Sequence, residues 1–201
     1  MSLSARMIVV LTVVGLVSGS LLAVVGLLTK DRIEMNRQQE IQTAISQVIP
    51  STKTSQKIYE DDSLTVYESR NESKNAVGYA VYTSGTGFQD IITLMYGTDP
   101  SLSNIKDLTI LEQKETPGLG AKITDQEAFL RYWKNRNCEQ PLSLRKPAVD
   151  SPENLDPSEV NTITGATISS EKVLDIVNAS LERLKAIKEQ GKLSSEEKNA
   201  S

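Results

Sequence analysis

The run Asn161-Thr162-Ile163-Thr164-Gly165-Ala166-Thr167 sets the hydroxyl of Thr167 behind two residues with almost no side chain. A bulky group can approach the backbone and that hydroxyl here, because Gly165 has no Cβ and Ala166 carries only a methyl. From Ser169 onward, Val173, Ile176, Val177, Leu181, Leu184 and Ile187 recur at helical spacing. This predicts that Thr167 sits within a residue or two of a helix N-terminus. Unpaired N–H groups at such a terminus favour a phosphate. The chemistry implied is a phosphate-bearing group held beside a hydroxyl. The same residues also read as a turn with a helix cap, since Thr and Ser are favoured before helices.

A second segment, Glu115-Thr116-Pro117-Gly118-Leu119-Gly120-Ala121-Lys122, has turn chemistry of its own. Pro117 pre-sets the second position of a turn and Gly118 permits positive φ at the third, so the chain reverses tightly. Gly120 then leaves room for a flat ring to lie against the backbone. Alone, the segment reads as an ordinary Pro-Gly turn.

Together the two segments resemble motifs of the FMN-binding domain family. Thr164-Gly165-Ala166-Thr167 is similar to its Ser/Thr-Gly-Ala-Thr/Ser flavinylation motif, and Glu115 to Gly120 is similar to its Glu-Thr-Pro-Gly-Leu-Gly stretch. The likeness continues through Gly87-Phe88-Gln89-Asp90-Ile91-Ile92, Leu94 to Gly97 and Phe129 to Trp133. It implies FMN joined by a phosphodiester bond to Thr167, within the motif formed by Thr164, Gly165 and Ala166. It also implies a flavin-contacting loop of Glu115, Thr116, Pro117, Gly118, Leu119 and Gly120, with Lys122 tuning the charge of the reduced ring. The family usually has Asp where this chain has Asn161, and many relatives have His where Gln113 stands.

Within the family, the chain most resembles the RnfG type, a component of Rnf ion-translocating electron-transport complexes. A related component belongs to the Na+-translocating NADH:quinone reductase, which is the alternative reading. The resemblance implies an electron-transfer flavoprotein subunit whose partners are other membrane subunits of the complex. A separate flavin transferase, using FAD, matures it. Thr167 is then an acceptor and not a catalyst, and turnover belongs to the complex. A reading from another class is a non-redox anchored scaffold whose Thr167 merely caps a helix.

These motifs need an anchor and a scaffold. No charge interrupts the chain between Arg6 and Lys30, and Met7 to Thr29 is long enough, at ~1.5 Å per residue, to cross a ~30 Å hydrocarbon core. This predicts one uncleaved transmembrane helix, since Leu21-Leu22-Ala23 is a poor cleavage site. Gly15 and Gly19 form a small-xxx-small pair that admits another helix. Lys30, Arg32 and Arg37 outnumber Arg6, which would put the domain inside. The resemblance implies the opposite, a domain on the periplasmic side of the cell inner membrane, and that orientation is the expectation taken here.

Beyond the anchor (residues 1–29) we expect a juxtamembrane helical segment (30–57), an FMN-binding domain (58–191) and a disordered tail (192–201). Ile41, Ala44, Ile45, Val48 and Ile49 make a helical stripe that Pro50 ends. Strands are predicted at Leu64 to Tyr67, Ala76 to Thr83, Ile91 to Tyr96 and Leu108 to Leu111, with a short one near Leu142 to Leu144. The first four are read as antiparallel. Thr124 followed by Glu127 resembles a capping box opening a helix through Phe129 and Trp133, with Trp133 in the core. The fold class expected is α+β: one N-terminal transmembrane helix, then a single domain of twisted antiparallel sheet flanked by helices.

Absences narrow the chemistry. The 201-residue chain has no His and one Cys, Cys138, so it cannot supply a Ser-His-Asp triad, a His-based zinc site or a four-cysteine iron–sulfur site. Cys138 is read as a buried inert thiol. The net charge of −4, without a basic cluster carrying interleaved aromatics, gives nucleic-acid binding no support.

Overall fold

The computed structural model describes residues 2–193. The chain divides into two compact units, one up to Gln42 and one from Thr43 onward. In the first, helix α1 (Leu3–Val48 in full) is exposed along its apolar length. Among the described residues it is the one helix long and apolar enough to cross a membrane. It runs unbroken past Lys30, with no joint between anchor and juxtamembrane segment.

In the second unit, six strands form an antiparallel meander: β1 (Thr54–Glu60), β2 (Leu64–Arg70), β3 (Ala76–Thr86), β4 (Ile91–Thr98), β5 (Asn104–Glu112) and β6 (Arg136–Asn137). Short connections from β1 to β5 permit this order, and acidic side chains build two of them. Asp61 accepts the N–H groups of Ser63 and Leu64, and Asp99 those of Ser103 and Asn104. A separate pair, β7 (Ser143–Arg145) and β8 (Glu159–Asn161), is parallel; β7 is the short strand expected near Leu142 to Leu144, and β8 was not anticipated. The long excursion between its strands allows the parallel crossover.

Both faces of β4 are covered, which is why seven of its eight residues are buried. On one face lies α2 (Thr167–Glu189), seated through Val173, Val177, Leu184 and their neighbours against Leu64, Val66, Val81, Leu94, Tyr96 and Leu108. The helix comes so close to β3 that a Cβ on Gly85 would stand 2.5 Å from Ile176 Cγ1. The buried hydroxyls of Tyr96 and Ser180 share a hydrogen bond of 2.9 Å across this interface. On the other face, Ile49 lies against Gly78 and Gly97. Ala44, Ile45 and Val48 of the last turns of α1 are buried beside it, as the helical stripe predicts.

Three local expectations change. The helical segment drawn through residue 57 ends at Val48, and β1 begins at Thr54. Pro50 stops the helix, and the polar run Thr54-Ser55-Gln56-Lys57 gave no alternation by which to recognise a strand. Thr124 opens no α-helix: its hydroxyl donates to the Ala121 carbonyl, while Asp125 Oδ1 accepts the N–H groups of Glu127 and Ala128 at 2.8 Å each. This Asx geometry competes with a capping box, and only short 3-10 turns, 120–124 and 130–133, form. Trp133 is nevertheless fully buried, edge-on to Phe129 at 5.8 Å. At the C-terminus, Leu193 still packs into the core; the rest of the expected tail, 194–201, lies outside the described residues.

Candidate functional site

The two motifs fold into turns of one kind at one end of the sheet. In the first, Leu119 N–H bonds the Thr116 carbonyl at 3.1 Å across Pro117 and Gly118, whose φ is +76°. In the second, Ala166 N–H bonds the Ile163 carbonyl at 2.9 Å across Thr164 and Gly165, whose φ is +85°. Both glycines hold the positive φ that such a turn demands at its third position. The turns meet: a Cβ at Gly165 would find one neighbour within 4 Å, Leu119 Cδ2 at 3.8 Å. Beside Gly118 the same construction meets only open space.

Helix α2 begins at Thr167, as the periodicity predicts. Ala166 is its N-cap and supplies no capping side chain. The Ala166 carbonyl receives Ser170 N–H at 3.0 Å, so the N–H groups of 167–169 are left for solvent or an anion. Thr167 is half-buried, and among the described residues its hydroxyl makes no hydrogen bond that would spend it as a cap. Ser170 closes the turn from below, its hydroxyl donating to Ala166 O at 3.0 Å and accepting Ile163 N–H at 3.2 Å.

The Glu115 loop is organised differently from the expectation. Glu115 is 4% exposed. Its Oε1 accepts the N–H groups of Phe88 and Gln89 at 2.8 and 3.0 Å, and its Oε2 accepts the Ser169 hydroxyl at 2.6 Å. Gly120 leaves no slot for a ring, since a Cβ there would stand 2.5 Å from Ser169 Oγ and 2.6 Å from Glu115 Oε2. Gly87 makes matching space at the other carboxylate oxygen, where a Cβ would stand 2.5 Å from Glu115 Oε1. Gln113, standing where many relatives have His, accepts Glu115 N–H at 2.6 Å and braces the loop. Thr116 Oγ1 accepts Gln89 Nε2 at 3.0 Å. What the loop offers outward is Pro117, Gly118 and Leu119.

Asn161 is buried below the second turn, its amide accepting Val149 N–H at 2.9 Å and donating to Val149 O at 2.8 Å. An Asp could not make that second bond as a carboxylate. A cleft of about 440 Å³ opens beside Thr164, lined also by Lys122, Arg131, Tyr132 and Thr162. Lys122 therefore shares a cleft with the Thr164 turn. The larger cleft, about 620 Å³, runs between β3 and α2 past Gly85 and Arg183 and includes neither motif.

Apolar surface concentrates at the same end. Among the described residues from Thr43 onward, the exposed large hydrophobic side chains are Phe88, Ile91, Leu119 and Ile168, each at least half exposed. Phe88, Leu119 and Ile168 belong to the three segments that meet at Glu115, and Ile91 opens the strand that follows the first of them. Near the start of α2, Glu171 is paired with Lys146 and Lys172 faces Asp175, so neither charge is aimed freely at Thr167.

The residues present fit a flavin mononucleotide: an unspent hydroxyl, an uncapped helix start for a phosphate, a glycine with open space, and apolar side chains at the rim. Ser169 and Ser170 were missed by reading the motif alone. Their signal was present, since a serine at position 169 continues the buried stripe of α2 where an apolar residue is expected.

Comparison with known proteins gives a consistent result. Residues 87–182 match the FMN-binding domain, and residues 9–48 match the RnfG N-terminal region. The G component of the ion-translocating oxidoreductase complex of Methanosarcina acetivorans is 27% identical over 90% of this chain and 94% of its own length. The G component of the Na(+)-translocating ferredoxin:NAD(+) oxidoreductase complex of Acetobacterium woodii is 27% identical over 86% of this chain and 87% of its own. The crystal structure of Shewanella oneidensis NqrC shares the fold, with a TM-score of 0.52, at 21% identity, over 69% of this chain and 74% of that one.

Proposed function

On the premise that residues 87–182 match the FMN-binding domain, we propose that the chain is the flavin-carrying electron-transfer subunit of an Rnf-type, membrane-bound, ion-translocating oxidoreductase, with FMN esterified to Thr167. The observation that carries the assignment is the unspent hydroxyl of half-buried Thr167, the first residue of an uncapped helix. In maturation, a phosphoester bond forms between Thr167 Oγ1 and the FMN phosphate as the pyrophosphate of FAD breaks. AMP leaves and the hydroxyl proton is released. FMN, once bound, supplies the electron carriage.

The protein's own groups tether and orient. The N–H groups of 167–169 and the helix dipole favour the phosphodiester, by ~0.3–1 kcal/mol at an exposed terminus. Gly165 and Gly118 keep side chains away from the approach, and Leu119 and Ile168 offer an apolar bed. Lys122, in the cleft beside Thr164, brings a positive charge to the edge of the motif. The match at residues 9–48 favours the Rnf type over the quinone-reductase type. Residues 7–29 hold the chain in the bilayer, with the domain on the outer, periplasmic face beside its partner subunits.

The test is the intact mass of the full chain, purified in detergent after expression with a flavin transferase. The wild type and Thr164→Ala gain one FMN less water; Thr167→Ala gains nothing. An unmodified wild type, with the transferase active on another substrate, or a gain that persists in Thr167→Ala, overturns the assignment.

A further inference from the structure

A carboxylate in a cofactor motif invites the reading that it touches the cofactor, and the Glu115 motif was expected to do so. Its surroundings give it another task. We propose that Glu115 is a positioning residue: it clamps the 87–89 hairpin, the 115–120 loop and the first turn of α2 together, and so fixes where Thr167 presents its hydroxyl. This rests on the reading of Thr167 as the acceptor.

Both carboxylate oxygens are already engaged, with three donors at 2.8, 3.0 and 2.6 Å from the 87–89 hairpin and α2. Charge-assisted bonds of this kind are short and strong, and a buried carboxylate needs them. The site is shaped around this side chain. Gly87 and Gly120 flank its two carboxylate oxygens, and a methyl at either would stand 2.5–2.6 Å from a Glu115 oxygen. Ser169, the partner on α2, lies two residues after Thr167 in the same turn and is 3% exposed, so its position is transmitted to the acceptor through a rigid backbone. The exposed side chains of Phe88, Leu119 and Ile168 sit on the three clamped segments, so the clamp also sets the apolar rim.

Reach and charge can be separated. Gln has the length of Glu; its oxygen can accept both N–H groups while its NH2 donates to Ser169 Oγ. Asp keeps the charge but is one methylene too short to span the three segments. The experiment uses the full chain in detergent and compares Glu115→Gln, Glu115→Asp, Glu115→Ala and Ser169→Ala. Before modification, amide exchange is followed at Phe88, Gln89 and the first turn of α2, with β2 to β4 as the reference for intact folding. During incubation with FAD and a flavin transferase, the initial rate of FMN gain is followed by mass. A clamp predicts that Glu115→Asp and Glu115→Ala accelerate exchange at Phe88 and Gln89 roughly tenfold or more, with the strands unchanged. Glu115→Gln stays near the wild type, and Ser169→Ala loosens only the helix turn. The rate of FMN gain follows the same order. The proposal is overturned if Glu115→Asp behaves as the wild type while Glu115→Gln fails, since charge would then matter and reach would not. It is equally overturned if flavin gain is indifferent to Glu115→Ala. A wild type that takes no FMN sinks the acceptor assignment instead, while the exchange order still decides whether the clamp exists.

Discussion

Adding one methyl group at Gly120 is the sharpest perturbation of this site. Gly120 does not lie in the left-handed region, so alanine carries no backbone penalty and the cost is one of space. The new Cβ would be 2.5 Å from Ser169 Oγ and 2.6 Å from Glu115 Oε2, where ordinary contact begins at 3.4 Å. Both oxygens must retreat by roughly 0.9 Å, and the 2.6 Å hydrogen bond between them cannot survive in place. Overpacking costs ~1–3 kcal/mol and a hydrogen bond to a charged group ~1.5–3 kcal/mol. The two overlap, so about 3 kcal/mol in total is expected. For a chain of this size that lowers the melting temperature by roughly 6–12 °C. The assay is thermal unfolding of the full chain in detergent, followed by circular dichroism. The control is Ser169→Ala, which loses the same hydrogen bond but vacates the space. Gly120→Ala combined with Ser169→Ala should therefore fall short of the sum of the single effects by about 1 kcal/mol or more. Melting of Gly120→Ala within ~2 °C of the wild type, or strict additivity in the pair, refutes the packing argument.

Gly118→Ala meets open space but must hold φ near +76°, so it should cost less, about 1 kcal/mol, and Gly118→Asn should cost less still by the same melting assay. Thr167→Ala should abolish the FMN mass gain yet leave stability within about 0.5 kcal/mol, because Thr167 makes no capping bond; a larger loss would restore the reading of Thr167 as a cap. Cys138, 1% exposed, has its thiol pushed up to about 11 by burial, so iodoacetamide at pH 8 should label it only after unfolding; labelling of the native chain would contradict its place in the core. Burial would raise the Asp99 carboxyl, but the Ser101 and Ser103 hydroxyls and the N–H groups of Asn104 and Ser103 outweigh it and bring it down to about 2. A depressed carboxyl stabilises the fold above its unfolded value of ~3.9 and loses that contribution as pH falls through the folded value, so the melting difference between wild type and Asp99→Ala should be constant above about pH 5 and shrink towards pH 2.

Much of this arrangement is written in residue order. The apolar run before Lys30, the stripe of α2, the start of that helix at Thr167 and the reversals at Pro117-Gly118 and Thr164-Gly165 all follow from rules that act over a few residues. So does the likeness of both turns to the FMN-binding family. The exclusion of His-dependent and multi-cysteine chemistry needs composition alone.

What residue order left open was settled by contacts between distant segments. Nothing local to Glu115 says that its oxygens are taken up by Phe88, Gln89 and Ser169, 27, 26 and 54 positions away. The same is true of Gly120, whose missing side chain makes room for protein atoms and not for a ring. Strand β1 escaped notice because its polar residues lack alternation and it is recruited by pairing with β2; the parallel β7–β8 pair depends on a crossover that no short window contains. Local sequence sets turns, helix starts and apolar faces because their energies are decided within one or two turns of chain. The use of a buried carboxylate depends on which donors the fold brings within ~3 Å, and that is decided only when the sheet and α2 pack.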